Sequence, residues 1–319
     1  MFFQKPAFGV DISDYSIEIV SLGGSFANPK LLAMGRKVLE PGIFISGSVL
    51  GKDKLKENLK ELLQNLKFGK LNSKRIVSSV PESKSYIHIF ELPQGLDKKE
   101  TENYIRSQAK ENFPYSSDEL YFDYQIQNGK VLLAACPKKI VEDYLEVFRD
   151  CGLDPASLEV ESLSLGRALI QEGEKENILI ADLGARTTNF SLFSAGKLKF
   201  SFSLSQAGNN FTQALSEKLG IPLPSAEKLK KEIGLDPQYQ EGRMFLVLQK
   251  EIQPIVEGAR KILVYFREKT GGAIKKIILA GGSSDLSGLP GYLSANLGLP
   301  VEIGDPWVRI DIDILKRKE

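Results

Sequence analysis

The N-terminal part of the chain alternates between strand-like and helix-like patterns of apolar residues. Apolar runs at Ala7 to Ile12 and Ser16 to Leu22 flank a polar turn, which predicts a β-hairpin, and Leu31 to Val38 continues it as a third strand. From Lys54 to Leu66, leucines recur at helical spacing opposite Lys and Glu residues, so an amphipathic helix is predicted there. Arg75 to Val80 returns to a strand pattern.

Between Glu82 and Asp154 the order of elements changes. The pattern predicts strand, helix, strand, strand and helix, in that order, at Tyr86 to Leu92, Lys98 to Asn112, Tyr121 to Ile126, Val131 to Cys136 and Ile140 to Asp150. Asp97 is a suitable N-cap for the first of these helices because Glu100 stands three residues further on. We expect residues 82–154 to form a small inserted domain.

A second β-run repeats the first. It comprises Ile178 to Asp182, Asn189 to Phe193 and Leu198 to Leu204. Aligning its first turn with the N-terminal hairpin pairs Asp182 with Asp11, then a small residue two positions on and a hydroxyl residue five positions on, at an offset of 182 − 11 = 171 residues. Such self-similarity predicts two related half-molecules.

The C-terminal part is predicted to be helical until a last buried strand. Asn210 to about Thr270 carries the helical pattern, and Lys276 to Ala280 is a buried strand that ends at Gly281-Gly282-Ser283. Three prolines are expected to divide the helical segment, namely Pro222, Pro224 and Pro254. Trp307 to Leu315 alternates apolar and polar residues, which predicts a strand and argues against an amphipathic membrane anchor.

The composition excludes several classes of function. Lys and Arg number 42 and Asp and Glu 41, so the chain has no basic field that could hold nucleic acid or an anionic membrane. With two cysteines and the single histidine His88, neither a disulfide framework, a zinc site nor histidine-based catalysis is expected. No apolar stretch approaches the roughly 20 residues that span a bilayer. We therefore expect a cytoplasmic protein without direct membrane insertion.

Asp11 and Asp182 each stand at the end of a predicted strand, before a tight turn of small residues. Amide and hydroxyl groups of such a turn can hold phosphate, and the carboxylate can hold Mg²⁺ through water. One such turn alone is more typical of an ordinary hairpin, but two copies together with the glycine pair Gly281-Gly282 favour a nucleotide site. The G-x-x-x-x-G-K-[ST] and G-x-G-x-x-G signatures are absent.

This order of motifs resembles the actin, sugar kinase and heat-shock chaperone superfamily, and within it the PilM family of type IV pilus assembly proteins. The resemblance covers nearly the whole chain. Phe8 to Ile12 is similar to the family's first motif, Ile180 to Asn189 to its second and Ala280 to Ser284 to its adenosine motif. Phe113-Pro114-Tyr115 and Phe122-Asp123-Tyr124 stand in the inserted segment where PilM proteins carry similar residues.

The resemblance implies an α/β fold, namely an actin-like fold of two ribonuclease-H-like halves with an inserted strand-helix-strand-strand domain like that of the division protein FtsA. The implied domains are a first actin-like domain (1–81 and 155–175), an inserted interaction domain (82–154), a second actin-like domain (176–209 and 274–319) and a helical nucleotide-capping subdomain (210–273).

The resemblance also implies ATP and Mg²⁺ as ligands. Asp11 and Asp182 would organise the metal through water and, together with Glu161, would be the catalytic candidates. Glu227 and Lys230, one helical turn apart, match the acidic and basic pair that reaches the ribose and adenine, although their spacing alone is equally typical of a solvated surface ion pair. The nucleotide-binding residues implied are Asp11, Ser13, Asp14, Ser16, Asp182, Gly184, Thr187, Thr188, Asn189, Gly208, Asn209, Glu227, Lys230, Gly281, Gly282 and Ser283.

Three positions depart from the family pattern. Ala207 replaces one glycine of a pair that Gly208 completes, which is a mild change. Ser13 stands where relatives carry Gly, and a positive φ there would cost roughly 1 kcal/mol. Glu18 occupies the place of a Lys that would face the phosphates. Unit charges ~5 Å apart interact by about 3 kcal/mol at an effective dielectric constant of about 20, so the reversed sign predicts slow or absent turnover.

By resemblance, the function is that of a cytoplasmic ATP-binding scaffold for the assembly of a type IV pilus, or of a related secretion or competence system. It would lie peripheral to the inner membrane by gripping the N-terminal cytoplasmic peptide of a PilN-type protein, with other pilus-motor components as further partners, and would be at most a slow ATPase. Three alternatives stay open: a pseudo-nucleotide scaffold of a secretion system, an FtsA-like division protein, and a small-molecule kinase. The insertion, which matches an interaction domain, argues against the kinase.

Overall fold

The computed structural model describes residues 6–25, 28–45, 47–308 and 310. The chain divides into two compact units, Met1–Ser164 with Pro306–Glu319 and Leu165–Asp305. Each unit combines a mixed sheet with helices around a core of its own. The predicted α/β class is confirmed.

The first unit contains a large sheet of six strands, a small sheet of three strands and one two-stranded pair. In chain order its elements are β1 (Phe8–Ile12), β2 (Ser16–Ser25), β3 (Asn28–Val38), β4 (Phe44–Ile45), β5 (Ser48–Val49), α1 (Lys52–Gln64), β6 (Phe68–Gly69), β7 (Arg75–Val80), β8 (Tyr86–Glu91), α2 (Lys98–Asn112), β9 (Leu120–Gln127), β10 (Lys130–Pro137), α3 (Lys138–Asp150), β11 (Asp154–Val160) and α4 (Glu161–Leu169), within which the boundary between the units falls. The large sheet has six strands in the order β11-β7-β1-β2-β3-β6.

Alternation along β1 decides which side chains enter the core of this sheet. Phe8, Val10 and Ile12 are buried, whereas Asp11 is exposed on the opposite face. β1 pairs antiparallel with β2, where Asp11 stands opposite Glu18, and parallel with β7. The predicted hairpin is confirmed, and it places Asp11 near the end of β1, on the face opposite the buried side chains of this strand.

The small sheet and α2 together form the part of residues 82–154 that has a core of its own. Its strand order is β8-β10-β9, and its apolar cluster comprises Ile105, Ala109, Phe113, Leu120, Val131, Leu133 and Ala135. The predicted capping box of α2 is confirmed: Asp97 Oδ1 accepts the Glu100 amide at 2.8 Å, and Glu100 Oε2 accepts the Asp97 amide at 2.9 Å. The helix therefore begins where the sequence predicts.

Helix α3, although it lies within residues 82–154, packs with the large sheet. Tyr144, Val147 and Phe148 are buried in the same cluster as Leu55 and Leu59 of α1. Ion pairs reinforce this contact, with Lys52 Nζ 2.6 Å from Asp143 Oδ1 and Lys56 Nζ 2.8 Å from Asp150 Oδ2. The domain boundaries implied by resemblance stay a prediction, but removing α3 would remove part of the core of the large sheet.

The second unit is built on a five-stranded sheet in the order β14-β13-β12-β15-β16. Its elements are β12 (Asn177–Leu183), β13 (Thr188–Ser194), β14 (Lys197–Leu204), α5 (Gly208–Leu219), α6 (Leu223–Ile233), α7 (Arg243–Thr270), β15 (Lys276–Ala280), α8 (Leu289–Leu297) and β16 (Val301–Ile303). Residues of β12, β13 and β15 share one apolar cluster with residues of α5 to α8.

The two units repeat one strand arrangement. In the first, β1 is antiparallel to β2, β2 is antiparallel to β3, and β1 is parallel to β7. In the second, β12, β13, β14 and β15 reproduce these pairings in the same senses. The half-molecule repeat predicted from Asp11 and Asp182 is therefore confirmed at the level of topology.

The prediction that Pro254 divides the helical segment is wrong. Pro222 and Pro224 do stand at the N-terminus of α6, where a missing amide proton costs little. Pro254, in contrast, lies inside α7, which continues for 28 residues. The buried neighbours Ile252, Ile255 and Val256 pack into the core, and this packing offsets the backbone hydrogen bond that proline cannot make.

The predicted strand from Trp307 to Leu315 falls largely outside the described residues, since residues 309 and 311–319 are not among them. Its beginning is not extended, because Trp307 and Val308 lie in a turn in which the Ile310 amide donates to Trp307 O at 2.9 Å. Within the described ranges, none of the helices has both the length and the hydropathy to cross a membrane.

Candidate functional site

In the second unit, the turn that follows Asp182 joins two paired strands. β12 and β13 pair from Asn177 to Leu183, and the Gly184 amide closes the turn by donating to Thr187 O at 3.0 Å. β15 lies on the other side of β12, in parallel, with Ala280 opposite Asp182. The residue that follows Ala280 is therefore brought directly to the Asp182 side chain.

That residue is Gly281, and the close approach requires a glycine. Its φ is +79°, and a Cβ there would overlap Asp182 Oδ1 and lie 2.5 Å from Leu183 O. Two further bonds fasten the loop to the turn, because the Ser283 amide donates to Leu183 O and its hydroxyl donates to Gly184 O, both at 2.9 Å. At Gly282, in contrast, a Cβ would meet no atom within 4 Å, so this side of the loop is open.

The N-terminus of α5 completes the same cluster. The Gly208 amide donates to Gly184 O at 3.2 Å and the Asn209 amide to Ala185 O at 2.7 Å. A Cβ at Gly208 would overlap Ser283 Oγ, so a larger residue here would displace the Ser283 hydroxyl from Gly184 O. Ala207, which departs from the family's glycine pair, has φ −165° and ψ −163°, an extended backbone that any residue adopts. This departure therefore costs nothing.

Lys230 anchors α6 to this cluster. It is only 7% exposed, and its ammonium lies 3.1 Å from Gly208 O, 2.9 Å from Thr212 Oγ1 and 2.6 Å from Glu227 Oε2. These acceptors use all of the donors that an ammonium has. Burial lowers the pKa of Lys230, while the neighbouring Glu227 opposes that effect. Lys230 therefore positions Gly208 rather than presenting its charge to solvent.

Glu227 is the more accessible member of the pair. Burial alone would raise its pKa, but hydrogen bonds from Lys230 and Thr212 outweigh burial and hold the pKa below its usual value. Its carboxylate is thus held as an acceptor beside Gly208, at the place where resemblance assigns a ribose contact. Thr212, which donates to Glu227, was not singled out in the sequence, because a Thr inside a helix carries no distinguishing signal.

Thr188 and Asn189, which the resemblance implies to bind nucleotide, have buried side chains with structural partners. Thr188 is buried, and its hydroxyl donates to Gln206 O at 2.6 Å. Asn189 is also buried and accepts a hydrogen bond from Ser203 at 2.8 Å. Thr187 and Asn209 are partly or fully exposed. The structure thus brings Asp182, Gly184, Gly208, Gly281 and Ser283 together, whereas the side chains of Thr188 and Asn189 bond to Gln206 and Ser203.

In the first unit, side-chain hydrogen bonds hold the turn after Asp11. Ser13 Oγ accepts the Ser16 amide at 3.0 Å and lies 3.1 Å from Ser16 O, to which it donates. Described residues other than glycine with positive φ are Asn128, Ala195, Gln240 and Glu241. Ser13 is not among them, so the strain considered for a serine at a glycine position does not arise. Asp14 lies in the same turn and is partly buried.

Asp11 and Glu18 are held by neighbours on adjacent strands. Ser79 of β7 donates its hydroxyl to Asp11 Oδ1 at 2.8 Å. Glu18 accepts a hydrogen bond from Ser16 Oγ at 2.7 Å and lies 3.0 Å from Arg36 Nε. Burial raises the pKa of Glu18, the Asp11 charge adds to this effect, and Arg36 opposes it. The carboxylate at the position of the family's Lys is therefore paired with a cation.

Glu161 stands at the start of α4. Its Oε2 accepts the Glu82 amide at 3.1 Å, and Glu82 Oε2 in turn accepts the Ser162 amide at 3.0 Å. Glu82 is buried, so this reciprocal arrangement fixes both carboxylates at the helix N-terminus, where negative charge is stabilised. Among the described residues, the hydroxyls of Tyr144 and Ser162 are buried without a hydrogen-bond partner.

Solved structures match this fold over nearly the whole chain. The structure of a PilM-PilN type IV pilus biogenesis complex matches with a TM-score of 0.83 and 24% identity, covering 98% of this chain and 93% of that chain. MreB 5 of Spiroplasma citri bound to AMPPNP matches with a TM-score of 0.57 and 16% identity, covering 94% and 91%. The chain has an actin-like fold, as its motifs predict.

The sequence places the chain within this fold class. A family model described as type IV pilus assembly protein PilM matches residues 9–318, and the chain belongs to this family. Cell division protein FtsA of Neisseria meningitidis serogroup B is 24% identical over 188 residues, which are 52% of this chain and 45% of that relative. The chain therefore spans less than half the length of the curated FtsA relative it matches.

The glycine cluster of the second unit generates a stability prediction. Gly281→Ala should destabilise the protein by about 2–5 kcal/mol, because alanine in a left-handed conformation is strained and its Cβ would clash with the Asp182 turn. Gly282→Ala is the matched control, since its Cβ enters open space. Chemical denaturation of both variants measures the difference, and equal stability of the two would contradict the packing described.

Proposed function

We propose that the chain is an ATP-binding scaffold of type IV pilus assembly. The proposal that a nucleotide binds rests on one observation. Beside Asp182, the glycines Gly208 and Gly281 let three backbone segments come into close contact. Membership of the PilM family carries the pilus part. MreB 5, which shares the fold, is bound to AMPPNP, and this supports a nucleotide as the ligand.

The residues present fit Mg-ATP. The open side at Gly282 leaves room for a ligand against the loop, and Glu227 is held as an acceptor for a sugar hydroxyl. Asp182 in the second unit and Asp11 in the first each offer hard carboxylate oxygens of the kind that Mg²⁺ binds, directly or through water, and a bound Mg²⁺ would neutralise phosphate charge. Gly184, Thr187 and Asn209 would contact the phosphates, while Lys230, Thr188 and Asn189 would act by fixing the backbone.

A pseudo-nucleotide scaffold is less well supported. Ser13 and Glu18 were the departures that favoured it, but Ser13 is not in a positive-φ conformation and Glu18 is paired with Arg36. Turnover is expected to be slow at most, because the carboxylate of Glu18 stands where relatives place a lysine. Glu161 Oε2 accepts the Glu82 amide, which orients the Glu161 carboxylate.

Asp182→Ala should weaken Mg-ATP binding more than tenfold, which corresponds to about 1.4 kcal/mol. The reason is that the substitution removes the carboxylate nearest to the glycine cluster. Isothermal titration calorimetry with Mg-ATP measures the change, and Glu217→Ala, which removes an exposed carboxylate from α5, is the control. A folded Asp182→Ala protein with unchanged affinity would show that nucleotide does not bind at this turn.

The proposed partner is an extended cytoplasmic peptide of a PilN-type membrane protein, bound where the inserted part meets the large-sheet core. The matching PilM structure is a complex with PilN, which supports this class of partner. In the described part of the chain β9 is an edge strand of its sheet, with Tyr121 47% exposed. An edge strand can add an extended peptide through main-chain hydrogen bonds. Lys138 Nζ, at the start of α3, lies 5.5 Å from the centroid of the Tyr121 ring, so this edge of the sheet is next to α3.

A deletion that spares α3 tests the partner site. Tyr86 and Ala135 are opposite each other in the sheet, so Ser85 and Cys136 can be joined by a short glycine linker after residues 86–135 are removed. The shortened protein should lose its affinity for the PilN-type peptide, expected to be micromolar or about 8 kcal/mol, while it retains Mg-ATP binding. Calorimetry with each ligand measures both, and full peptide affinity in the shortened protein would place the partner elsewhere.

A further inference from the structure

Helices α5, α6 and α7 of the second unit border a groove with an apolar floor. The groove has a volume of about 480 Å³, within the range of roughly 300–1,000 Å³ that ligand pockets have. Leu219, Ile221 and Leu229 line it, and the core of this unit covers each of them only in part. Gly208 and Leu219 stand at opposite ends of α5, so the groove lies roughly 16 Å along this helix from the glycine cluster.

Leu246 of α7 stands beside this groove and is 62% exposed. Its other side borders a second hollow of about 350 Å³, which Pro254 also lines. An apolar side chain in this position gains free energy when another surface covers it. Because the two hollows meet at Leu246, an elongated occupant such as a peptide segment would cover it. A compact small molecule would fill one hollow and leave this leucine in water.

Cations lie along the rim of the groove. Lys218 of α5 and Arg243 of α7 both line it, and both are exposed. Within the described ranges of the chain, neither side chain has a carboxylate partner. The second hollow has Lys250 and Glu257 in its lining, so the excess of positive charge lies at the groove. A partner that brings carboxylates to this rim gains charge-assisted hydrogen bonds there.

The turn before α7 gives the groove one wall in an unusual backbone conformation. Gln240, which lines the groove, has a φ of +49°, and Glu241 beside it has a φ of +56°. Both lie in the left-handed region, which costs free energy for a residue that carries a Cβ. Such conformations persist where the surrounding structure fixes them, and they are concentrated at binding sites. The wall is therefore part of a preformed surface.

Charge argues against a second copy of this chain as the occupant. In a symmetric dimer formed through the groove, the same patch would face itself. Lys218 and Arg243 would then approach the same two cations of the other copy, and like charges oppose association. An acidic partner reverses the sign of this interaction.

We propose that the groove binds an acidic, amphipathic segment of a partner protein. Apolar side chains of the segment cover Leu246 and the groove floor, and its carboxylates pair with Lys218 and Arg243. An amphipathic helix with apolar anchors at positions i, i+3 and i+4 is a form that apolar grooves accept. The inference goes beyond the proposed function, since it requires neither a nucleotide nor the PilN-type peptide.

Peptide selection tests the proposal with a defined probe. A phage library of random peptides of about 15 residues, or four helical turns, is selected on the wild-type protein, and peptides that also bind Leu246→Gln are removed. This variant should fold normally, because the leucine is exposed and glutamine is a similarly good helix former. We expect the remaining peptides to carry Asp or Glu beside apolar residues at helical spacing. A selection that leaves no peptides, or peptides without acidic residues, overturns the proposal.

Affinities of the strongest selected peptide then assign the contacts. Fluorescence polarisation should show that Leu246→Gln and Arg243→Glu each weaken binding by about tenfold or more. Lys261→Glu is the matched control, because it reverses the same charge on an exposed residue of α7 roughly 22 Å from Leu246 along the helix. It should leave the affinity unchanged. Equal losses for Arg243→Glu and Lys261→Glu would reduce the effect to net charge and overturn the proposal.

Sedimentation of the wild-type protein and Leu246→Gln separates the remaining occupant. If the wild-type protein self-associates and Leu246→Gln abolishes this, the groove is an interface between copies and the proposal is overturned. Circular dichroism verifies that the variant is folded. Because no nucleotide is present in the peptide measurements, a wild-type protein that fails to bind Mg-ATP overturns only the proposed function and leaves the groove as the peptide data assign it.

Discussion

The parallel pairing of β12 with β15 is the constraint on which the second unit's site depends. It sets Ala280 opposite Asp182, so the next residue must turn away at the point where the Asp182 carboxylate and Leu183 O leave no room for a side chain. Glycine with positive φ is the residue that meets both conditions. Once Gly281 has turned, Ser283 can reach Leu183 and Gly184, and Gly208 can approach Gly184 from α5.

The first unit repeats the topology but holds its turn by other means. Where the second unit uses close backbone contact between glycines, the first uses the Ser13 hydroxyl as an acceptor and donor across its turn. Its charges are arranged differently as well, because the carboxylate of Glu18 is paired with Arg36 on the neighbouring strand. The same strand arrangement can therefore support two turns whose chemistry is distributed over different side chains.

Local sequence patterns were sufficient to predict those features that depend only on residues close together in the chain. The capping box at Asp97, the hairpin at Asp11 and the glycine turn at Gly281 could all be predicted, because each depends on residues a few positions apart. The site residues taken from the resemblance stay predictions, although several of them do lie together in the second unit.

Contacts between distant segments could not be predicted in this way. The pattern from Ile140 to Asp150 indicates an amphipathic helix, but nothing in it shows that the apolar face packs on α1. Pro254 was expected to end a helix, and only the core around it explains why α7 continues. From spacing alone Lys230 would be a solvated surface residue. In the structure, two of the hydrogen-bond acceptors of its ammonium group belong to α5. The ion pair between Arg36 and Glu18 could have been predicted only if the register between β2 and β3 had been known.

Amide hydrogen exchange of the wild-type protein, with and without Mg-ATP, tests most directly whether the glycine cluster is the nucleotide site. The amides of Gly184, Gly208 and Ser283 all donate within this cluster, so a ligand seated on it should slow their exchange. We expect protection of the peptides that contain these three residues when Mg-ATP is added at a saturating concentration. If calorimetry shows that Mg-ATP binds while exchange in these peptides is unchanged, the nucleotide binds elsewhere and the account is contradicted.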